Sequence, residues 1–219
     1  MNLQSSSNFR CVLITGASSG LGLEFSRQLA PHVQILILVA RRGKILEEIA
    51  EELVAAYPDL EVKVLVCDLT DPKARIHLIN ALSEDDLSPD CLINNAGMGD
   101  YGEFRTSDWS KTEQMIRLNI EALTHLSHAL LPGLIAQRGA ILNLSSLAGD
   151  LPIPDFAVYA ATKAYVSSFS EGLRLELRSQ GVRVLAVCPG PIKTGFGDTA
   201  RRGSTTKLPV QETFYVPAH

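Results

Sequence analysis

A doubly wound α/β fold, with one parallel sheet between two layers of helices, is predicted from two features of the sequence. Six short apolar runs alternate with longer amphipathic segments of helical periodicity. Runs that are apolar at every position indicate strands buried on both faces, as in parallel sheets. Strand–helix alternation with right-handed crossovers limits the topology to a doubly wound sheet. Since no repeat or low-complexity linker divides the chain, residues 1–219 are expected to form a single domain.

Each predicted element is bounded by turn residues. The strands are predicted at 11–15, 34–40, 62–67, 91–94, 140–144 and 182–188. The helices are predicted at 23–30, 44–57, from Pro72 onward, 107–131 and 156–180. Pro132 and Gly133 are expected to stop the fourth helix, and Gly181 the fifth. Residues 1–9 are expected to be a flexible lead, and 195–219 to be loop-like.

Composition and charge argue against several classes of partner. The chain is 46% hydrophobic and 20% charged, which is ordinary for a globular protein. A formal net charge of −4 gives no reason to expect nucleic acid or an anionic membrane as a partner. The longest apolar run, Ile35–Ala40, is far shorter than the ~20 residues of a membrane span.

The cysteines and the N-terminus indicate a reducing compartment. The four cysteines are widely spaced, and their spacing fits neither a zinc site nor a disulfide framework. We therefore expect free thiols in or beside strands, namely Cys11, Cys67, Cys91 and Cys188. The first ten residues lack the apolar core of a signal peptide. Together these features predict a cytoplasmic protein.

A glycine-rich turn joins the first strand to the first helix. Glycine there permits a tight turn, close approach of a pyrophosphate and close packing of helix on strand. The helix start adds free N–H groups and a positive dipole end. A plain tight turn is the alternative, but the position between a strand and a helix favours dinucleotide binding. The candidate residues are Gly16, Ser18, Ser19, Gly20, Leu21 and Gly22.

The end of the second strand indicates which dinucleotide binds. An acidic residue there would bind a free ribose 2′-hydroxyl, whereas an arginine accommodates a 2′-phosphate. Arg41 and Arg42 follow the strand, without a carboxylate. This favours NADP over NAD. The alternative of a solvated loop arginine is more credible for Arg42 than for Arg41.

Tyr159 and Lys163 are the candidate catalytic pair. Four residues apart on a helix, they share one face. A neighbouring ammonium is expected to lower the pKa of the phenol, so that it exchanges a proton near neutral pH. Ser146, thirteen residues before Tyr159, can return over the helix start through the intervening turn-rich loop. The pair alone is weak evidence, since a packed tyrosine and a solvated lysine often have this spacing.

Five motifs occur in a telling order: TGASSGLG at 15–22, NNAG at 94–97, SS at 145–146, YAATK at 159–163 and PG at 189–190. Over about residues 10–197 the sequence resembles the classical short-chain dehydrogenase/reductase family, of the NADP-preferring type. The resemblance implies a three-layer Rossmann-like fold. It also implies an oxidoreductase that transfers a hydride between NADP(H) and a small-molecule carbonyl or alcohol substrate.

The resemblance also implies individual roles. Tyr159 is implied as the general acid/base, Lys163 as the residue that binds the nicotinamide ribose, and Ser146 as the group that polarises the substrate oxygen. Ser145 is a competing candidate, but the spacing to Tyr159 favours Ser146. Asn119 is implied to hold a water that relays protons.

The remaining implied contacts are with the cofactor. Asp68, followed by Leu69, is implied to contact the adenine amino group. The other positions are Asn94, Asn95, Ala96 and Gly97, which line the adenosine ribose, and Pro189, Gly190, Ile192 and Thr194, beside the nicotinamide amide and the pyrophosphate.

Three further expectations concern metal, substrate and partners. No metal site is expected, since His125 and His128 lack partner ligands at a suitable spacing. Pocket segments 98–104, 150–156 and 195–202 favour a moderately apolar alcohol or ketone. By the resemblance, a homodimer or homotetramer is expected through helices 107–131 and 156–180.

Two alternatives remain at this stage, together with one departure from the family. The scaffold also suits a non-catalytic NADP(H)-binding redox sensor, although such a sensor would not need Ser146, Tyr159 and Lys163 together. It also suits an epimerase or dehydratase, which usually carries a longer substrate domain. Family members usually continue into a substrate-covering segment and a seventh strand. The sequence shows six strands, so 195–219 is expected to be a truncated substrate-covering segment.

Overall fold

A computed structural model of the chain describes residues 9–201, apart from the side chain of Asp198. Within this range six parallel strands form one sheet, in the order β3-β2-β1-β4-β5-β6. The strands are β1 Cys11–Thr15, β2 Ile35–Ala40, β3 Glu61–Val66, β4 Cys91–Asn94, β5 Ala140–Leu144 and β6 Arg183–Val187. The predicted fold class is confirmed. The order reverses between β1 and β4, and in such sheets a ligand binds at the carboxyl ends of these strands.

The helices alternate with the strands, as predicted. They are α1 Gly20–Leu29, α2 Gly43–Ala56, α3 Pro72–Glu84, α4 Trp109–Ile116, α5 Leu123–Gln137, α6 Ala157–Glu176 and α7 Phe196–Ala200. A π turn, Arg117–Ala122, joins α4 to α5 without a break in the helix. In the described part of the chain, no helix combines the length and the apolar character that crossing a membrane requires.

The core has two parts, one on each face of the sheet. Successive side chains of a strand point to opposite faces. Leu13 of β1 accordingly packs in one cluster with Leu126 of α5. Its neighbours Val12 and Ile14 pack in the other cluster with Leu46 of α2. The sheet is therefore covered on both sides, and the site is left to the strand ends.

The helix predicted at 107–131 was expected to stop at Pro132, and this prediction is wrong. Pro132 lies inside α5, which ends at Gln137, where Arg138 adopts a left-handed conformation with φ of +50°. Proline in a helix interior removes one backbone hydrogen bond and costs about 3 kcal/mol. Leu134, two residues further on, is fully buried in the core. We infer that this packing outweighs the lost bond.

Other boundaries also differ from expectation, and three of the differences concern the ends of α6 and of the described chain. The α6 helix ends at Glu176, and a 3-10 turn, Arg178–Gln180, leads to Gly181 at φ +79°. Phe9 is not a loose lead residue, because it packs on the core and under the Arg183 guanidinium. Part of the expected loop is helical, at Phe196–Ala200. The rest of the expected lead, 1–8, and of the C-terminal loop, 202–219, lies outside the described residues.

Candidate active site

The glycine loop lies at the carboxyl end of β1 and opens α1. Gly16 and Gly20 have φ of +68° and +57°, which favours glycine. A Cβ on Gly22 would overlap the carbonyl oxygen of Gly16, so only glycine lets α1 start this close to β1. Ser19 precedes the helix without a side-chain cap, and no acidic residue lies in the first turn. The helix start therefore suits an anion, while Leu21 packs against the core.

One of the two arginines reaches this loop. Arg42 Nε and Nη2 donate to Ser18 Oγ at 3.1 and 2.8 Å, and Nη2 donates to Ser19 Oγ at 2.7 Å. Arg41 is exposed and makes no hydrogen bond or ion pair with the described residues. The geometry therefore favours Arg42 as the candidate to accommodate a 2′-phosphate, whereas the sequence favoured Arg41.

Thr15 and Asn95 join the end of β1 to the end of β4. Thr15 Oγ1 accepts hydrogen bonds from the backbone N–H of Asn95 and of Ala96, each at 3.0 Å. Asn95 Nδ2 donates to the carbonyl oxygens of Thr15 and Gly16 at 2.8 and 3.3 Å. The predicted segment Asn95–Ala96 thus lies against the glycine loop. Sequence reasoning missed Thr15, although a hydroxyl at the end of an apolar strand was a usable signal.

Asp68 and Leu69 follow β3 at the same edge of the sheet. Asp68 Oδ1 accepts from Thr70 N at 3.0 Å and from Thr70 Oγ1 at 2.8 Å. The Leu69 side chain is buried in the core. The loop is thus fixed, and the Asp68 residue lies exposed at the strand ends.

Helix α6 brings Tyr159 and Lys163 together beneath Ser146. Tyr159 is 7% exposed and Lys163 5%. The Ser146 hydroxyl hydrogen-bonds the Tyr159 hydroxyl and accepts from Ala148 N at 3.1 Å. The competing Ser145 points elsewhere, because its Oγ donates to Lys163 O at 2.8 Å. The structure therefore places Ser146, and not Ser145, beside the tyrosine.

The expected depression of the tyrosine pKa is wrong for this chain on its own. Burial raises the pKa of Tyr159 to about 12, and the hydrogen bond with Ser146, a smaller effect, acts in the opposite direction. Lys163 Nζ donates instead to Leu144 O at 2.6 Å and lies 5.8 Å from the centre of the Tyr159 ring. Burial also lowers the pKa of Lys163 to about 8. Desolvation by burial is the largest cause of both shifts.

Asn119 lies in the π turn, where an extra residue widens the helix. Its Oδ1 accepts from Met98 N at 3.0 Å, and its Nδ2 donates to Met98 O at 2.9 Å and to Thr162 Oγ1 at 3.0 Å. A Cβ on Gly97 would lie 3.4 Å from Asn119 Oδ1 and 3.5 Å from Lys163 Nζ. Glycine at position 97 thus leaves space between the two polar groups that a side chain would fill.

The segment after β6 closes the other side of the site. The carbonyl oxygen of Pro189 accepts from Leu147 N at 3.1 Å, and Gly190 faces Leu147. Ile192 is partly buried in the same segment. A Cβ on Gly20 would lie 3.4 Å from the Thr194 side chain. The segment therefore contacts both the loop after β5 and the glycine loop.

Aromatic side chains from the three predicted pocket segments surround Tyr159. Phe156 stacks on the Tyr159 ring with centroids 4.4 Å apart, and Phe196 lies 5.5 Å away at a tilt of 47°. Tyr101 meets Phe156 edge-on at 5.5 Å. Phe196 rests over Gly99, where any Cβ would meet its ring. The surroundings of the phenol are therefore mainly apolar.

These residues fit a nicotinamide dinucleotide. The uncapped helix start and the glycine loop suit a pyrophosphate, and the space at Gly97 beside Lys163 suits small polar groups. Among the described residues, no cluster of three or more His, Cys, Asp or Glu is arranged to hold a metal ion. His125 instead accepts a hydrogen bond at Nδ1 from Arg75.

Known proteins are similar to this chain along most of its length. The family model described as short chain dehydrogenase matches residues 10–204. The chain belongs to the short-chain dehydrogenase family. Sulfoacetaldehyde reductase 2 from Chromohalobacter salexigens is 38% identical over 232 residues, covering 95% of this chain and 89% of the relative.

Solved structures of known dehydrogenases superpose on this chain. A short-chain dehydrogenase from Sphingobium yanoikuyae in complex with NADPH superposes with a TM-score of 0.85 at 36% identity, covering 95% of this chain and 79% of that one. A bulky-bulky ketone specific alcohol dehydrogenase from Comamonas testosteroni reaches 0.80 at 34% identity, covering 85% and 74%. This chain is thus an oxidoreductase of a family that binds nicotinamide dinucleotides.

Proposed function

We propose that this short-chain dehydrogenase interconverts an uncharged, largely apolar carbonyl compound and its alcohol with NADP(H). The observation that carries the proposal is the meeting of the Ser146 and Tyr159 hydroxyls beside buried Lys163, at the carboxyl end of the sheet. A bound nicotinamide would supply or accept the hydride. A sensor that only binds the nucleotide does not need this trio.

The protein's own groups would handle the proton. Ser146 and Tyr159 present two hydroxyls to a carbonyl oxygen, where negative charge develops during reduction. Because burial raises the pKa of Tyr159 to about 12, its phenol is protonated at neutral pH, and this is the form that donates. Lys163 and Asn119 border the space at Gly97, and in this proposal they hold a water that returns the proton.

The preference for NADP(H) rests on Arg42. Its guanidinium lies on Ser18 and Ser19, and guanidinium groups pair well with phosphate. We expect Arg42→Asp to weaken NADPH binding by at least about tenfold while sparing NADH, since a charged hydrogen bond of about 1.5 kcal/mol or more is lost. Arg41→Asp is the matched control, and fluorescence titration gives both affinities. A larger loss of NADPH affinity in Arg41→Asp would show that Arg41, and not Arg42, contacts the 2′-phosphate.

The substrate class follows from the apolar surroundings of Tyr159. Phe156, Phe196 and Tyr101 pack around it, and Met98 joins the same cluster. The buried cation nearest to the phenol, Lys163, is held by Leu144 O. The Comamonas testosteroni relative named for bulky ketones is a closer guide to such a site than the relative named for sulfoacetaldehyde.

The test is a carbonyl panel with NADPH and NADH. We expect NADPH oxidation with uncharged aryl or branched alkyl ketones, and much slower oxidation with an aldehyde that carries a sulfonate. Binding of neither nucleotide would refute the function altogether. Faster turnover of the sulfonate would refute only the substrate class.

Two further parts of the proposal concern assembly and location. We propose a homodimer or homotetramer through the faces of α4–α5 and α6, where Ile116 and Tyr165 are 37% and 36% exposed. We also propose a cytoplasmic location. The free thiols support it, since burial raises the pKa of Cys11, Cys67 and Cys91 and keeps them unreactive.

A further inference from the structure

Arg75 of α3 is a buried cation that the proposed reaction does not use. Its side chain is 2% exposed. Nη1 donates to the carbonyl oxygen of Leu69 at 2.7 Å, Nε donates to His125 Nδ1 at 3.2 Å, and Nη2 pairs with the carboxylate of Glu121. Only the arginine of the pair with Glu121 is buried, and the desolvation cost of a buried charge offsets much of the attraction to its partner. Stability alone therefore gives no reason for a guanidinium at this position.

The first contact of Arg75 fixes a peptide group of the loop after β3. In a trans peptide the C=O and the N–H point in opposite directions. The Leu69 carbonyl accepts from Arg75, and the N–H of the same peptide, on Thr70, donates to Asp68 Oδ1 at 3.0 Å. Arg75 and the Asp68 carboxylate therefore hold this peptide from its two ends. Rotation of the peptide would move the carboxylate.

The other contacts of Arg75 anchor it to a rigid element. Glu121 lies in the π turn that contains Asn119, and His125 lies one turn later in α5. The π turn is itself held to Met98 by both polar atoms of the Asn119 side chain. Contacts with Glu121 and His125 thus fix the orientation of the guanidinium group. Its remaining hydrogen bond then fixes the position of the Leu69 carbonyl.

We propose that Arg75 is a positioning residue that aims the Asp68 carboxylate at the 6-amino group of the adenine ring. The inference rests on the proposed NADP(H) function and adds to it a second layer behind the adenine site. Its chemistry is a chain of hydrogen bonds that runs from the π turn through Arg75 and one peptide group to a carboxylate acceptor. The ligand group it recognises is an exocyclic amine on a purine.

The test compares NADPH with deamino-NADPH, in which a carbonyl oxygen replaces the 6-amino group. We expect wild type to bind NADPH about tenfold more tightly, as for a hydrogen bond to a charged acceptor. Arg75→Met keeps the side-chain length without the donors, and Glu121 is 49% exposed, so water can solvate its carboxylate. We expect this variant to lose most of the discrimination, to about twofold or less. The matched control is Arg27→Met, because Arg27 is an exposed arginine that also pairs with a carboxylate, that of Glu52.

The ratio of the two affinities separates positioning from a merely structural role. General loosening of the fold would weaken both nucleotides and leave the ratio unchanged, which would overturn the inference. If Arg75→Met does not fold, Arg75→Lys keeps the cation without the fork and must also reduce the ratio. A wild type that binds NADPH without discriminating refutes the inference alone. A wild type that binds no nucleotide refutes the proposed function, and the inference with it.

Discussion

At the scale of single residues, burial decides the behaviour of the candidate catalytic groups. Tyr159 is enclosed by aromatic rings, which favours its neutral form, and Lys163 is enclosed with a single backbone acceptor, which also favours its neutral form. The protonated phenol suits a proton donor. Because its pKa is about 8, Lys163 is mostly charged at neutral pH. Desolvation of this charge lowers the stability of the fold there.

The stability of the fold is expected to depend on pH through Lys163. The pKa of Lys163 is lowered from 10.5 to about 8, so the unfolded chain binds this proton more tightly. The free energy of unfolding should therefore rise between pH 8 and 10.5, by roughly 3 kcal/mol for a fully buried group. We expect Lys163→Met to lack this rise, as measured by urea unfolding at several pH values. Changes from Tyr159 and the cysteines are common to both proteins, so identical pH profiles would contradict the burial argument.

At the scale of elements, close approach at the glycine loop sets the site. Helix α1 starts against the carboxyl end of β1 because Gly22 has no Cβ to meet the Gly16 carbonyl. The π turn likewise brings Asn119 to Met98 and Thr162. Both devices place polar groups at the switch point between β1 and β4.

Substitution by alanine is expected to have opposite effects on stability at Gly22 and at Gly172. Gly22→Ala forces α1 away from β1, so we expect a loss of NADPH affinity of at least about tenfold and lower stability. Gly172→Ala lies in the interior of α6 with nothing within 4 Å of the new Cβ. It should stabilise the fold by about 0.5–1 kcal/mol without a change in NADPH affinity. Fluorescence titration and thermal unfolding measure both, and equal effects at the two positions would refute the close-approach argument.

Features set by local sequence could be predicted, and features set by distant contacts could not. The glycine turn, the four-residue spacing of Tyr159 and Lys163, and the strand alternation are local and were predicted. The choice of Arg42 depends on a loop some twenty residues earlier, which no pattern near the arginines reveals. Helix continuation through Pro132 depends on core packing beyond it.

At the scale of the whole molecule, the two covered faces of the sheet leave its carboxyl edge as the place where the motifs meet. The glycine loop, the Asn95 segment, Ser146 and Thr194 come from separate parts of the chain. Phe196 reaches Tyr159 from α7, and the Tyr101 backbone N–H bonds the Ala200 carbonyl at 2.8 Å. The segment expected to cover the substrate therefore contacts the site in its described part.

The proposed oligomer is expected to depend on the exposed faces of α4–α5 and α6. Tyr165 lies on α6, and its hydroxyl hydrogen-bonds Thr124 of α5 at 2.9 Å. Tyr165→Glu would place a charge on this surface, and we expect sedimentation to show a shift towards monomer. Val54→Glu on α2, a residue 41% exposed on the other side of the sheet, is the control and should leave the assembly unchanged. An oligomer that survives Tyr165→Glu would contradict the proposed interface.

We propose that the Tyr159 hydroxyl exchanges the proton with the substrate oxygen, and Tyr159→Phe removes that hydroxyl alone. Phenylalanine keeps the ring packing against Phe156 and Phe196 and removes only the hydroxyl. We expect NADPH affinity within about twofold of wild type, and a single-turnover rate of NADPH oxidation with the best ketone at least about 100-fold lower. A variant that binds NADPH normally and reduces the ketone at the wild-type rate would show that another group supplies the proton.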